Sequence, residues 1–317
     1  MSESARDHGG GLDAACATFG GHRASWADLS TGINPIPYRF RAIPAEAWNA
    51  LPDHNASDRL VSAARQFWQV PEGADVLATP GLSCAIARIP SLFPAGNVAI
   101  PQPTYNEHAA TFSAHGWSVN TNDDPQAQVI VHPNNPDGRF WSDQTLPARP
   151  ARLTVIDESF CDTCPDKSLM QMAPSSGTLI LKSFGKFWGL AGLRLGFVIG
   201  DPSLVAKLRD NLGPWPVSGP ALFVGAEALE NRNWAERTRE RLALDAKRLD
   251  ELLLSTGAEV IGGTSLFRLY DVDDAAKWQC RLAQHQIWSR VFPYNRRWLR
   301  LGIPHPLHWP RLHAALA

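Results

Sequence analysis

Thr178-Leu179-Ile180-Leu181-Lys182-Ser183-Phe184-Gly185-Lys186-Phe187-Trp188-Gly189-Leu190-Ala191-Gly192-Leu193-Arg194 is the stretch on which the fold turns. Its apolar opening, Thr178–Leu181, predicts a buried strand. The segment Ser183–Arg194 then packs Lys186 among glycine, serine and aromatic residues, the composition of a tight turn. A lysine held there is open to desolvation. Burial or a nearby cation lowers an amine pKa, and the neutral amine is the form that condenses with an aldehyde. A lysine after a strand is ordinarily a solvated surface residue, so the assignment depends on its company.

Four other segments supply that company. Thr79-Pro80-Gly81-Leu82-Ser83 closes an apolar run and opens a predicted helix over Ser83–Leu92, so its backbone amides suit a phosphate dianion. Pro103-Thr104-Tyr105 sets an aromatic just past a strand end, suited to stack on a pyridine ring. His132-Pro133-Asn134-Asn135-Pro136-Asp137-Gly138 is a turn cluster directly after the predicted strand Gln128–Val131, which places Asn135 at the carboxyl edge of a sheet. Val155-Ile156-Asp157-Glu158-Ser159 ends another apolar run with an acid. A carboxylate against a pyridine nitrogen keeps that nitrogen protonated. Each feature alone has a plain structural alternative: a helix cap, a core tyrosine, a turn amide, a surface charge.

The ordered set closely resembles the fold-type-I aminotransferase family (class I/II), over nearly the whole chain. The resemblance implies an α/β aspartate-aminotransferase-like fold with a mostly parallel sheet, a smaller α+β domain, and pyridoxal 5'-phosphate as cofactor. It implies that Gly81, Leu82, Ser83, Ser183 and Arg194 bind the cofactor phosphate, Tyr105 stacks on the ring, Asn135 bonds its phenolic oxygen and Asp157 pairs with its nitrogen. Lys186 becomes the Schiff-base lysine, with Lys186, Asp157 and Tyr105 as the catalytic group. Arg300, in Trp298-Leu299-Arg300-Leu301-Gly302, matches the residue that grips the substrate carboxylate, a task suited to a planar guanidinium.

Two segments narrow the resemblance to the threonine-phosphate decarboxylases of cobalamin biosynthesis, relatives of histidinol-phosphate aminotransferase. One is His8-Gly9-Gly10-Gly11-Leu12-Asp13-Ala14-Ala15 with Asp28-Leu29-Ser30-Thr31-Gly32-Ile33-Asn34-Pro35; the other is Ile287-Trp288-Ser289-Arg290-Val291-Phe292-Pro293-Tyr294. The implied reaction is decarboxylation of L-threonine O-3-phosphate to (R)-1-amino-2-propanol O-2-phosphate, through a Lys186 aldimine and a quinonoid. His8, Asn34, Arg290 and Arg300 are the implied substrate residues. An aminotransferase acting on a phosphorylated amine such as histidinol phosphate is the alternative, and a non-catalytic aminotransferase-like ligand-binding protein is a third reading. Three positions depart from the wider pattern: Phe160 where a tyrosine is common, Gly185 where a second serine is common, and Leu51 near the place of a tyrosine that reaches a neighbouring subunit's phosphate. A homodimer is expected by analogy.

The whole chain is compatible with this. Its 317 residues, 44% hydrophobic, are enough to bury a large core. The 30 basic and 31 acidic residues are spread without a basic tract, so small molecules are the expected partners, with no nucleic acid and no membrane. The polar stretch Met1–Gly11 and the lack of any run of about 18 apolar residues predict a cytoplasmic protein. Five cysteines at irregular spacing fit reduced thiols, and no metal site is expected. Cys161-Asp162-Thr163-Cys164 has a redox or zinc spacing but no second ligand pair, so it is taken as loop cysteines.

Short apolar runs at Val76-Leu77-Ala78, Asn97–Ile100, Gln128–Val131, Leu153–Ile156, Thr178–Leu181 and Leu195–Ile199 predict the strands of a large domain over 40–216. Pro220–Leu254 reads as one or two long amphipathic helices. Strands at Leu266–Tyr270, Ile287–Val291 and Trp298–Ile303, with helices at Ala275–His285 and the C-terminus, predict a small domain of residues 1–39 and 217–317.

Overall fold

The computed structural model describes residues 8–120, 125–142 and 152–317, so residues 1–7 of the polar N-terminal stretch lie outside the described residues. The chain forms two compact units, one of residues 37–135 and 139–239, the other of 1–36, 136–138 and 240–317. The division falls inside the helix Arg232–Leu254 and not at 216/217, because the helix Gly219–Glu230 packs on His54–Phe67 within the larger unit. Pro220–Leu254 is two helices. They break at Asn231, whose side-chain oxygen accepts from Trp234 N (3.1 Å) and starts the second.

The larger unit is built on a seven-stranded sheet in the order Asp75–Thr79, Gly196–Gly200, Thr178–Ser183, Leu153–Asp157, Ala127–Val131, Asn97–Ala99, Ser118–Asn120. Only Gly196–Gly200 runs against its neighbours; the other paired strands are parallel. Every residue of Ala127–Val131 and Leu153–Asp157 is buried, as unbroken apolar strands covered on both faces require. Val98, Val129, Val155, Leu179 and Val198 form the middle of one core with Ile86, Phe112 and Val205, each worth about 1.5–3 kcal/mol by burial.

In the smaller unit an antiparallel sheet runs Arg290–Phe292, Asn295–Gly302, Phe267–Asp271, Glu259–Thr264. The expected strand over 287–291 is two strands. Ile287–Trp288 pairs in parallel with Ala27–Asp28, Arg290–Phe292 joins the larger sheet of this unit, and the buried Ser289 is the break. The N-terminal segment thus belongs to the unit through strand pairing and through Leu12, Ala15 and Trp26, which share a small core with Ala283. Among the described residues no helix is long and apolar enough to cross a membrane.

Candidate active site

Strand direction gathers the candidate cofactor residues of the larger unit. Because Asp75–Thr79, Asn97–Ala99, Ala127–Val131, Leu153–Asp157 and Thr178–Ser183 are all parallel, the segments of Gly81, Tyr105, Asn135, Asp157 and Lys186 leave the same edge of the sheet. The reversed strand begins at that edge, where Gly196 is the register partner of both Thr79 and Ser183. Arg194, two residues earlier, is thereby delivered beside Gly81.

Asp157 is buried at the end of its strand. Its Oδ2 accepts from His108 Nε2 (2.8 Å), and its Oδ1 accepts from Ser159 N (2.9 Å) and Ser159 Oγ (2.5 Å). Burial pushes its pKa up, but the bond and charge of His108 and the Ser159 bonds outweigh it and hold the carboxyl below its ordinary 3.8. Asp157 is therefore a carboxylate over the whole physiological range, as partnering a protonated ring nitrogen demands. Tyr105 packs edge-on to His108 (5.9 Å between centroids), and burial first, then the Asp157 charge, raises its phenol to about 12, so it stays neutral. Asn134 fixes the neighbouring turn: its Nδ2 donates to Pro103 O (3.0 Å) and its Oδ1 accepts from Thr104 Oγ1 (2.6 Å), which sets Asn135 next to the Tyr105 segment.

Two lysines compete for the nucleophile's role. Lys182 is buried, with Nζ 2.6 Å from Glu158 and 3.6 Å from Asp162. Burial alone would lower its pKa, yet Glu158, Cys161 and Asp162 raise it above the ordinary lysine value, so it stays an ammonium. An amine locked in charge does not attack a carbonyl. Lys186, half-exposed, carries its Nζ 5.5 Å from the centre of the Phe160 ring. Phe160, in place of a tyrosine, offers it a ring face and no hydroxyl. The turn is tight around it: a Cβ on Gly185 would meet Ala191 Cα at 3.1 Å, which accounts for glycine there in place of a serine.

Gly81, with φ of 79°, lies so close to Arg194 that a Cβ on it would sit 2.4 Å from Nη2. The following helix is shorter than predicted, Leu82–Arg88 passing into a 3-10 turn, and the Leu82 side chain is spent in the core, so this residue offers only backbone. Ser83 is exposed beside it, and Arg194, also exposed, brings the positive charge. These features fit a phosphate of the cofactor: backbone at Gly81–Ser83, the Ser183 hydroxyl, and the Arg194 guanidinium. Gly81→Ala adds backbone strain of about 1–3 kcal/mol, because its positive φ with extended ψ is open essentially to glycine alone, and displaces Arg194. Pyridoxal phosphate should bind the variant's apoprotein about tenfold more weakly in a fluorescence titration.

In the smaller unit, Arg290 and Arg300 are directly opposite on neighbouring antiparallel strands. Like charges so placed repel. Burial first, and then Arg290, pushes the Arg300 pKa down to about 10, so it remains charged at neutral pH. Phe292 lies against both guanidinium groups, 5.3 Å from Arg290 and 6.0 Å from Arg300, with Phe267 5.0 Å from Arg300. Arg290 Nη1 donates to the His8 carbonyl (2.7 Å) and Arg300 Nη2 to the Ser30 carbonyl (2.6 Å), so the N-terminal segment orients both. His8 is thus joined to Arg290 through its backbone. Asn34 is buried, its side-chain oxygen accepting from Arg241 Nη2 (2.7 Å) and Ile36 N (3.1 Å), which fixes the way its amide points.

Several of these partners went unread in the sequence. His108 follows Tyr105 by one helical turn in Asn106–Ala114, a spacing that marks it only once that helix is known to lie beside the Asp157 strand. Ser159 had a local signal: a serine two residues after an acid at a strand end makes a side-chain turn.

A lysine in a tight turn, an ionised acid at a strand end and a glycine–arginine cradle thus share one sheet edge. Residues 120–306 match the family described as Aminotransferase class I and II, and the chain belongs to it. It is 41% identical over 313 residues to a Sinorhizobium threonine-phosphate decarboxylase, covering 93% of this chain and 92% of the relative. It is 38% identical over 328 residues to the Pseudomonas aeruginosa protein of that name, covering 98% and 97%. The solved structure of Sinorhizobium meliloti histidinol-phosphate aminotransferase in complex with pyridoxal-5'-phosphate superposes with a TM-score of 0.82 at 19% identity, over 100% of this chain and 98% of that one, and shows the shared fold. The chain is a pyridoxal-phosphate-dependent enzyme.

Proposed function

We propose that this enzyme decarboxylates L-threonine O-3-phosphate to (R)-1-amino-2-propanol O-2-phosphate, as a step of cobalamin biosynthesis. The observation that carries the reading is the likeness, over nearly the full length of both chains, to two threonine-phosphate decarboxylases. The cross-strand pair Arg290 and Arg300 supports it, since a substrate with both a carboxylate and a phosphate relieves the repulsion between two opposed guanidinium groups.

Bound pyridoxal phosphate supplies the electron sink that makes cleavage at Cα possible. Gly81, Ser83, Ser183 and Arg194 would hold its phosphate, Asn135 would bond the phenolic oxygen, Tyr105 would cover the ring, and Asp157, oriented by His108, would keep a proton on the ring nitrogen. Arg290 and Arg300 take the two anionic substituents of the substrate, with His8 and Asn34 ordering the segment that positions them. The Cα–carboxylate bond breaks, carbon dioxide leaves, and Lys186 Nζ returns a proton to Cα. Incubation with L-threonine O-3-phosphate and trapping of the gas tests this reading. One carbon dioxide per substrate consumed is expected, whereas amino transfer to 2-oxoglutarate without gas release would establish the aminotransferase instead.

A homodimer is part of the same reading. Trp48 and Leu51 are 65% and 67% exposed on the larger unit, and Leu51 lines a groove with Ala47, Leu222 and Phe223. The exposed Trp48 and Leu51, three residues apart in the chain, suit a second copy of it. The double variant Trp48→Asp, Leu51→Asp should sediment as a monomer where the native protein sediments as a dimer; equal masses for the two proteins would remove this surface from the interface.

A further inference from the structure

Beyond Asp157 the chain builds a second chemical centre that the cofactor site does not use. Glu158 accepts from Lys182 Nζ (2.6 Å), Ser168 Oγ (2.7 Å) and Leu169 N (2.6 Å). The 3-10 turn Cys161–Thr163 follows, and Cys164 closes it with its N–H on the Cys161 carbonyl (2.9 Å). Residues three apart in such a turn eclipse one another at about 6 Å, inside the Cα separation of about 4.4–6.8 Å that a disulfide spans. Cys161 Sγ donates to the Cys164 carbonyl (3.7 Å), and Thr163 Oγ1 donates to Cys164 Sγ (3.7 Å). The nearness of the two thiols, the largest influence on each, pushes Cys161 up and draws Cys164 below the ordinary thiol value. Cys161 is fully buried and Cys164 half-exposed, so only one sulfur meets solvent.

A metal ion is the competing occupant, since His132, Glu158 and Cys161 offer ligand atoms within 4.8 Å of one another. Two of the three are already engaged. His132 Nε2 donates to the Lys167 carbonyl (2.7 Å), its Nδ1 accepts from Trp141 N (3.1 Å), and the Lys182 ammonium occupies the cation's place beside Glu158.

We infer that Cys161 and Cys164 form a redox-active dithiol that exchanges with small-molecule disulfides. The Cys164 thiolate attacks one sulfur of oxidised glutathione and expels one glutathione thiolate, leaving a mixed disulfide on Cys164. The Cys161 sulfur then attacks the Cys164 sulfur and expels the second. The two thiol protons pass to the two departing thiolates, so two protein thiols become one disulfide while one oxidised glutathione becomes two reduced ones. Asp162, between the cysteines, accepts from Trp68 Nε1 (2.8 Å) and Trp188 Nε1 (3.2 Å), so closure of the bridge changes tryptophan fluorescence.

The test uses the holoenzyme equilibrated at graded ratios of oxidised to reduced glutathione, quenched with an alkylating agent under denaturing conditions, digested and weighed. The peptide spanning 161–164 is expected to lose two hydrogens and both alkylation sites, reversibly with dithiothreitol, with a matching fluorescence change. Cys161→Ser should stop at a glutathione adduct on Cys164, and Cys164→Ser should take up nothing in this turn. Full alkylation of both thiols in the native enzyme at the most oxidising ratio, a native enzyme that stops at the adduct, or a stoichiometric zinc ion masking the pair would each overturn the inference.

Discussion

Lys186→Ala should yield a folded protein whose turnover of L-threonine O-3-phosphate falls on the order of 10⁴-fold, with the visible absorbance of the lysine-bound cofactor gone and the melting temperature little changed. Lys186 sits in a half-exposed turn against Phe160, so its loss removes chemistry more than packing. Lys182→Ala is the contrasting variant. It strands Glu158, which burial pushes up but Lys182, Ser168 and Leu169 hold ionised below its ordinary 4.5. Breaking such a buried pair costs about 3–5 kcal/mol, and this variant should melt early. The pair of variants separates the two lysines by kind of failure, read by calorimetry and steady-state kinetics. A folded Lys182→Ala protein that had lost its cofactor absorbance, beside a fully active Lys186→Ala protein, would reverse the assignment.

Asp157→Asn should lower kcat by about 10²–10³-fold with little change in KM. An asparagine with its Oδ1 toward Ser159 keeps both serine bonds, and its Nδ2 donates to His108 Nε2 once the imidazole takes the other tautomer, so the strand end keeps its shape. What it lacks is the negative charge that, in the proposed mechanism, would hold the ring nitrogen protonated. The loss should therefore appear in the chemical step, and a variant with native kcat would show that Asp157 serves only as a structural anchor.

That the candidate residues leave one edge of the sheet was legible because they stand where apolar strands end, and strand ends are visible as apolar runs followed by turn residues. Gly81, Tyr105, Asn135, Asp157 and Lys186 all have that signature. His108 did not, because its significance lies in the sheet order that sets Asn106–Ala114 beside the Asp157 strand. Lys182 carries no sequence signal of its burial; it is buried because Glu158 and Asp162, from the neighbouring strand end and turn, compensate its charge. The run 287–291 reads as one strand because Ile287, Trp288 and Val291 follow one another with no glycine or proline between them, but its halves hydrogen-bond to different partners, a choice no local pattern records. The seam at 239/240 was hidden for the same reason, lying within an unbroken helix.

The assignment of Lys186 as the cofactor lysine is tested most directly by reducing the holoenzyme with borohydride, which fixes pyridoxyl phosphate on the amine that holds it, and then sequencing the labelled peptide. The label is expected on Lys186. A label on Lys182, four residues earlier and buried against Glu158, or on any lysine outside this segment, would contradict it.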